Sequence, residues 1–173
     1  MNDQPQQQTK RIGKGMIYTA WILGFALMVW FFGILETNKH NPNQNVQTHV
    51  VEGGSKEVIL QSSRYGHYVV TGKINNEKVT FLVDTGASYV SVPGNVANKI
   101  GLEKGAPIMV STANGNVTVY ATTLDLVSVG TITLHNIKAD INPHMQGDEI
   151  LLGMSFLRFL SVSHEAGQLT IRQ

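Results

Sequence analysis

The hydrophobic pattern changes its period along the chain, and each change predicts a different element. Residues 15–35 form an unbroken stretch of twenty-one uncharged positions that includes Trp21, Trp30, Phe31 and Phe32. Wound as a helix at about 1.5 Å per residue, such a run crosses the roughly 30 Å hydrocarbon core of a bilayer. A buried core helix would keep a polar face, and none is present. A cleaved leader would have a shorter apolar core and a small-residue cleavage site before Glu36, and neither is found. The pattern predicts an uncleaved transmembrane helix. Lys10, Arg11 and Lys14 crowd its amino side, against Lys39 alone close to the other end. By the positive-inside rule residues 1–14 are then an unstructured cytoplasmic tail and the remainder lies outside. Residues 36–63 turn to Asn, Gln, His, Gly and Ser with scattered valines, which reads as a linker with room for a short strand at 57–61. As a coil it would reach on the order of 30 Å.

From residue 64 to 173 the period becomes two. Residues 67–74 alternate, Asn75-Asn76-Glu77 turn the chain, and 79–83 return, so the pair predicts a hairpin. Residues 89–92 are the next strand, broken by Pro93-Gly94. Residues 95–100 predict a single short helix with Asn95 as N-cap and Gly101 past its end. Two β-prone arms over 108–120 flank Ala113-Asn114-Gly115-Asn116, where Asn-Gly favours a tight turn with positive φ. Residues 124–129, 131–134 and 137–141 continue the meander, with Gly130 and Asn136 at turns, and 142–149 are a polar loop. Residues 150–153 are a short apolar strand closed by glycine, 154–160 an amphipathic helical piece, and 161–163 with 168–171 two last strands about Gly167. Many short strands and few helical turns predict an all-β, closed or partly open barrel.

Composition narrows the function. The chain is 42% hydrophobic and 14% charged, which excludes a disordered protein. A net charge of +1, with no basic stripe, gives no basis for nucleic-acid binding. Without cysteine there is no thiol chemistry or disulfide. His135 and His144 have no neighbours at ligand spacing, so neither a metal nor another cofactor is expected.

The candidate chemistry lies in Phe81-Leu82-Val83-Asp84-Thr85-Gly86-Ala87-Ser88. Three apolar residues deliver a carboxylate at the end of a rigid strand, where Gly86 lets the backbone turn and approach a neighbour. The bare Asp-Thr-Gly tripeptide arises by chance in about a few per cent of chains this long, so context decides. That context is the apolar strand before it, Ala-Ser after it, a hairpin downstream, and Ile150-Leu151-Leu152-Gly153 about seventy residues later. In this order and spacing, residues 65–171 resemble the retropepsin-like aspartic proteases, the single-lobe relatives of pepsin, and among them a membrane-anchored bacterial-type member.

The resemblance implies a retropepsin barrel and peptide hydrolysis. That reaction needs two carboxyl groups, one ionised to take a proton from water and one protonated to polarise the scissile carbonyl. Two such groups about 3 Å apart cannot both ionise, which divides the roles. One Asp-Thr-Gly per chain therefore implies a homodimer with Asp84 of each copy on the two-fold axis. By the family's pattern Thr85 hydrogen-bonds across the axis, the Gly86 amide donates to the carboxylate, and residues 150–153 pack behind the loop. Ala87 and Ser88 would line the substrate groove, and Thr112, Ala113, Asn114, Gly115 and Asn116 would form the tip of a flap over bound peptide. Ala87 stands where the two-lobed enzymes have serine, so one hydrogen bond to the dyad is missing and the resemblance implies a weakly acidic activity optimum. The expected protein is an aspartic endopeptidase in the inner, cytoplasmic membrane, crossing once, with its barrel in the periplasm. Its partners would be protein or peptide substrates, a second copy and the lipid bilayer. The alternative is a catalytically inactive barrel of the same fold that binds peptides or proteins; a structural envelope protein with an accidental Asp-Thr-Gly is the third reading.

Overall fold

The computed structural model describes residues 4–51, 53–112 and 115–173, and of residues 4–14 and 35–39 the backbone alone. The chain divides into two compact units, Met1–Lys39 and His40–Gln173. Helix α1 (Gln4–His40) contains the segment Gly15–Ile34, which is long and apolar enough to cross a membrane. Its side chains are exposed throughout, which a core helix would not tolerate. The helix begins earlier than the unstructured tail expected over residues 1–14. Pro5 sits in its first turn, where no backbone hydrogen bond is lost, and glutamine and basic residues, good helix formers, follow. It stops at His40 because Asn41 precedes Pro42, and a residue before proline is pushed out of the α region.

The second unit is all-β with two short helices. Its elements are β1 (Thr48–Val50), β2 (Lys56–Gln61), β3 (Val69–Ile74), β4 (Glu77–Val83), β5 (Val90–Pro93), α2 (Gly94–Lys99), β6 (Pro107–Thr112), β7 (Gly115–Val129), β8 (Ile132–Asn142), β9 (Glu149–Leu152), α3 (Met154–Leu157), β10 (Ser161–Glu165) and β11 (Gln168–Arg172). Seven strands follow the order β3-β4-β9-β5-β8-β7-β6. A further pairing of β3 with β7, at Lys73↔Ser128 and Ile74↔Val127, closes six of them into a barrel with β6 outside. Phe81, Ile150, Leu152, Val90, Val92, Ile141, Leu124 and Phe156 fill the interior.

The remaining strands form a sheet ordered β1-β2-β11-β10, and it corrects the expected linker. The compact unit starts at His40 rather than near residue 64. Asn43 is buried, and its side-chain amide donates to the carbonyls of Gln61 and Val69 at 2.9 and 2.7 Å while its oxygen accepts from the Gln61 amide at 2.7 Å. Val58 and Leu60 of β2 are wholly buried. A soluble form begun near Ser63 would therefore expose core; residue 40 is the workable start.

Smaller differences have local causes. The Asn75-Asn76 turn has positive φ at both residues and joins β3 to β4 with Ile74 opposite Glu77. Asn136 also has positive φ, yet the β7–β8 register keeps the same phase on either side of it, at Leu124↔Ile137 and Leu126↔His135, so the strands expected over 131–134 and 137–141 are one. Asn95 does not cap α2: its amide reaches Gly147 O and Asp148 Oδ1, and Pro93 occupies the cap position.

Candidate active site

Asp84 lies one residue beyond β4. Its strand runs parallel to β9 with Val83 opposite Leu152, and the Asp84 amide donates to the Leu152 carbonyl at 3.2 Å, so the ladder holds the first residue of the turn. The turn then closes on itself. Ala87 N–H donates to Asp84 O at 3.3 Å, and Gly86 N–H donates to the carboxylate oxygen Oδ1 of Asp84 at 2.8 Å. A carboxylate half-buried at a strand end, with one oxygen held by an amide, is fixed in direction and still reachable from solvent.

The loop is strapped from behind by the chain that leaves β9. Met154 N–H donates to Ala87 O at 2.8 Å, and Ser155 N–H to Ser88 O at 3.0 Å. The buried Ser155 hydroxyl oxygen accepts from Val90 N–H at 2.9 Å. Gly153 makes this approach achievable: a β-carbon there would stand 2.6 Å from Ala87 O and collide with Tyr89 O. The glycine closing the apolar run is thus a steric requirement of the loop it supports.

Thr85, Gly86 and Ser88 are exposed and Ala87 half-buried. The other expected residues belong to a different part of the sheet. Thr112 and Gly115 face each other across the β6–β7 ladder, and Thr112 Oγ1 donates to Gly115 O at 2.8 Å. Asn116 pairs with Ser111, and Ala113 and Asn114 lie outside the described residues. Gly115 opens β7 and has the positive φ expected of it, while the rest of the expected turn lies outside the described residues. Among the described residues, no group of three or more His, Cys, Asp or Glu side chains could hold a metal.

Strand register gathers further residues on the Asp84 face. Residues opposite one another on neighbouring strands project to one side, and alternate residues of one strand do the same. Val69, Leu82, Leu151, Ser91, Asp140 and Ala121 form one such row across six strands. Asp84, two residues beyond Leu82, follows on the same side. The sequence pattern singled out neither Ser91 nor Asp140. Ser91 Oγ donates to Asp140 Oδ1 at 2.6 Å, and burial raises the Asp140 carboxyl above its ordinary 3.8 while the Ser91 bond opposes the shift. The available signal was an acid inside the apolar strand Ile137-Lys138-Ala139-Asp140-Ile141.

Comparison with known proteins agrees with this geometry. Residues 70–159 match the family described as "gag-polyprotein putative aspartyl protease". Among curated proteins, an uncharacterized protein from the cobV 5′ region of a Sinorhizobium species is 38% identical over 112 residues, 63% of this chain and 48% of that one. An uncharacterized protein of Rickettsia prowazekii is 35% identical over 104 residues, 58% of this chain and 44% of that one. The chain thus spans about half the length of these curated relatives. The crystal structure of a retropepsin-like aspartic protease from Rickettsia conorii is similar with a TM-score of 0.58 and 28% identity, over 74% of this chain and 95% of that one. A single barrel with Asp-Thr-Gly at the end of a strand, backed by Ile-Leu-Leu-Gly and matched over these residues, makes this chain a member of the retropepsin-like aspartic protease family.

Proposed function

We propose that the chain is a membrane-anchored aspartic endopeptidase that works as a homodimer. The observation that carries the reading is the Asp84 carboxylate, presented at a strand end with Gly86 N–H donating to it, once per chain. With two copies about a two-fold axis, Asp84 of each would hold one water between them. The ionised carboxylate takes a proton from water as its oxygen bonds to the peptide carbonyl carbon, and the protonated partner gives its proton to the carbonyl oxygen. The resulting diol collapses with breakage of the C–N bond, and the leaving amine receives a proton from the pair. Thr85 would tie the two loops together, Ala87 and Ser88 would flank bound peptide, and Thr112, Ala113, Asn114, Gly115 and Asn116 would close over it.

The segment Gly15–Ile34 would anchor this unit in the cytoplasmic membrane, with the amino terminus inside and the barrel in the periplasm. Confinement to one bilayer raises the effective concentration of partner copies and favours a weak dimer. The test is cleavage of a peptide library by the full chain in detergent, beside its Asp84→Asn form and with and without pepstatin. Cuts made by the native chain, blocked by pepstatin and missing from Asp84→Asn, support the reading. Equal cutting by both forms sinks it.

A further inference from the structure

The row of residues on the Asp84 face is apolar except at one place. Val69 is buried, and Leu82, Leu151 and Ala121 are half-buried. Val119, two residues from Ala121 on the same side of β7, is fully buried. Between Leu151 and Ala121 stand Ser91 and Asp140, 8% and 5% exposed, joined by the 2.6 Å bond from the Ser91 hydroxyl. None of the other residues in the row ionises. Met145, from the loop between β8 and β9, brings its sulfur to 3.5 Å from Ser91 Oγ. That loop is fixed at both ends: His144 N–H donates to Asn142 Oδ1 at 2.9 Å, and Asn95 holds Gly147 and Asp148.

An acid in an apolar wall is costly unless its oxygens are bonded. Ser91 is the single partner of this carboxyl among the described residues. Yet among the described residues no fully buried side-chain oxygen or nitrogen goes without a partner. The second oxygen of Asp140 therefore opens at the surface of the wall, with capacity to accept. With strands about 4.8 Å apart and about 3.3 Å per residue, Ser91 lies on the order of 12 Å from Asp84 along the sheet, the span of a few residues of extended peptide.

We propose that Ser91 and Asp140 form the polar floor of a substrate subsite that selects a side chain with an N–H or O–H donor a few residues from the scissile bond. This deepens the endopeptidase reading and rests on it. The hydroxyl of Ser91 points one carboxyl oxygen and leaves the other to the peptide; an aliphatic substrate side chain packed there would displace water from that oxygen without replacing its hydrogen bond, and so strand the acceptor.

The test is a peptide library varied one position at a time, with Ser, Thr, Asn, Gln or Lys set against Leu or Val. The full chain in detergent is compared with Asp140→Leu and Asp140→Asn for cleavage. The same peptides are titrated against the uncut-binding form Asp84→Asn, with and without Asp140→Leu, by calorimetry. The native chain should favour the donor-bearing side chain at one position by roughly 10- to 100-fold, the worth of a hydrogen bond to a charged group. Asp140→Leu should erase or invert that preference, and Asp140→Asn, whose amide donates to the peptide, should lower Lys, which only donates, relative to Ser, Thr, Asn and Gln, which can also accept. If Asp140→Leu does not fold, Asp140→Asn decides alone. An unchanged profile in the variants overturns the subsite. Selective binding without any cleavage leaves the subsite standing and removes the hydrolase, and a chain that neither cuts nor binds peptides removes both.

Discussion

Two acids share one face of the barrel wall, and their positions in the strands give them opposite properties. Asp84 follows the last residue of β4, where the chain turns and the carboxylate meets both a backbone amide and solvent. Asp140 lies within β8, flanked by β5 and β7, and meets a hydroxyl in a nearly closed setting. A strand end supplies access and direction; a strand interior supplies desolvation. The same functional group is thus directed and reachable at one site and desolvated at the other.

Exchanging the acid for its amide at each position separates these roles most strongly. Asp84→Asn keeps an oxygen for the Gly86 amide, so the thermal midpoint should stay within a few degrees, but an amide cannot take a proton from water. Cleavage should fall roughly a hundred- to ten-thousandfold, as for loss of a general base. A residual rate near the native one, measured on any peptide that the native chain cuts, would remove Asp84 from the chemistry.

The next contrast lies in what supports the two acids. The Asp84 turn depends on the close passage of Gly153 beneath Ala87 and Tyr89, where a methyl group meets two carbonyl oxygens. Gly153→Ala should cost about 3 kcal/mol or more, in the upper range of overpacking, and should take activity with it. Chemical denaturation gives the stability, and a loss below about 1 kcal/mol would mean that the strap can shift without harm. Ser155→Ala removes the acceptor from buried Val90 N–H and should cost about 1–3 kcal/mol. Ser155→Thr, which keeps the hydroxyl, should recover part of it.

The two acids also differ in how openly the chain announces them. Asp84 is legible because each part that fixes it is a short contiguous pattern: an apolar run, a glycine turn, and, about seventy residues on, a second apolar run whose glycine makes room. Asp140 is hidden because alternation along Ile137-Lys138-Ala139-Asp140-Ile141 assigns Lys138 and Asp140 alike to solvent. Lys138 is exposed, whereas Asp140 is covered because β5 pairs beside it and Met145 comes over its partner Ser91. Residues 40–63, where only the strand at 57–61 is visible in the pattern, hide their folded role for a related reason. Their polar composition resembles a linker, but Asn43 spends its polarity on the backbones of Gln61 and Val69, contacts 18 and 26 residues away in sequence. The barrel and its short helices followed from strand pattern and turn residues, while the β7–β8 continuity past Asn136 depended on pairing that no short window displays.

The smallest expected effect tests the buried acid by itself. Burial raises the Asp140 carboxyl above its ordinary 3.8, so the folded chain binds its proton more tightly than the unfolded chain does. For an acid shifted this way, the ionised form is disfavoured only in the folded state. The native chain therefore loses stability at this site as pH rises from about 4 through the raised value, and keeps it below. Asp140→Asn cannot ionise, and its oxygen still accepts from Ser91. The difference in thermal midpoint, variant minus native, should thus grow toward the variant as pH rises from the ordinary carboxyl value through the raised one and then level off; all other carboxyl groups cancel in the subtraction. A flat difference would mean that water reaches the carboxyl freely, and a difference growing in the opposite direction would mean that Asp140 is held as a stabilised anion. Either result would weaken the contrast with Asp84, because Asp140 would then not be an acid whose ionised form the fold disfavours.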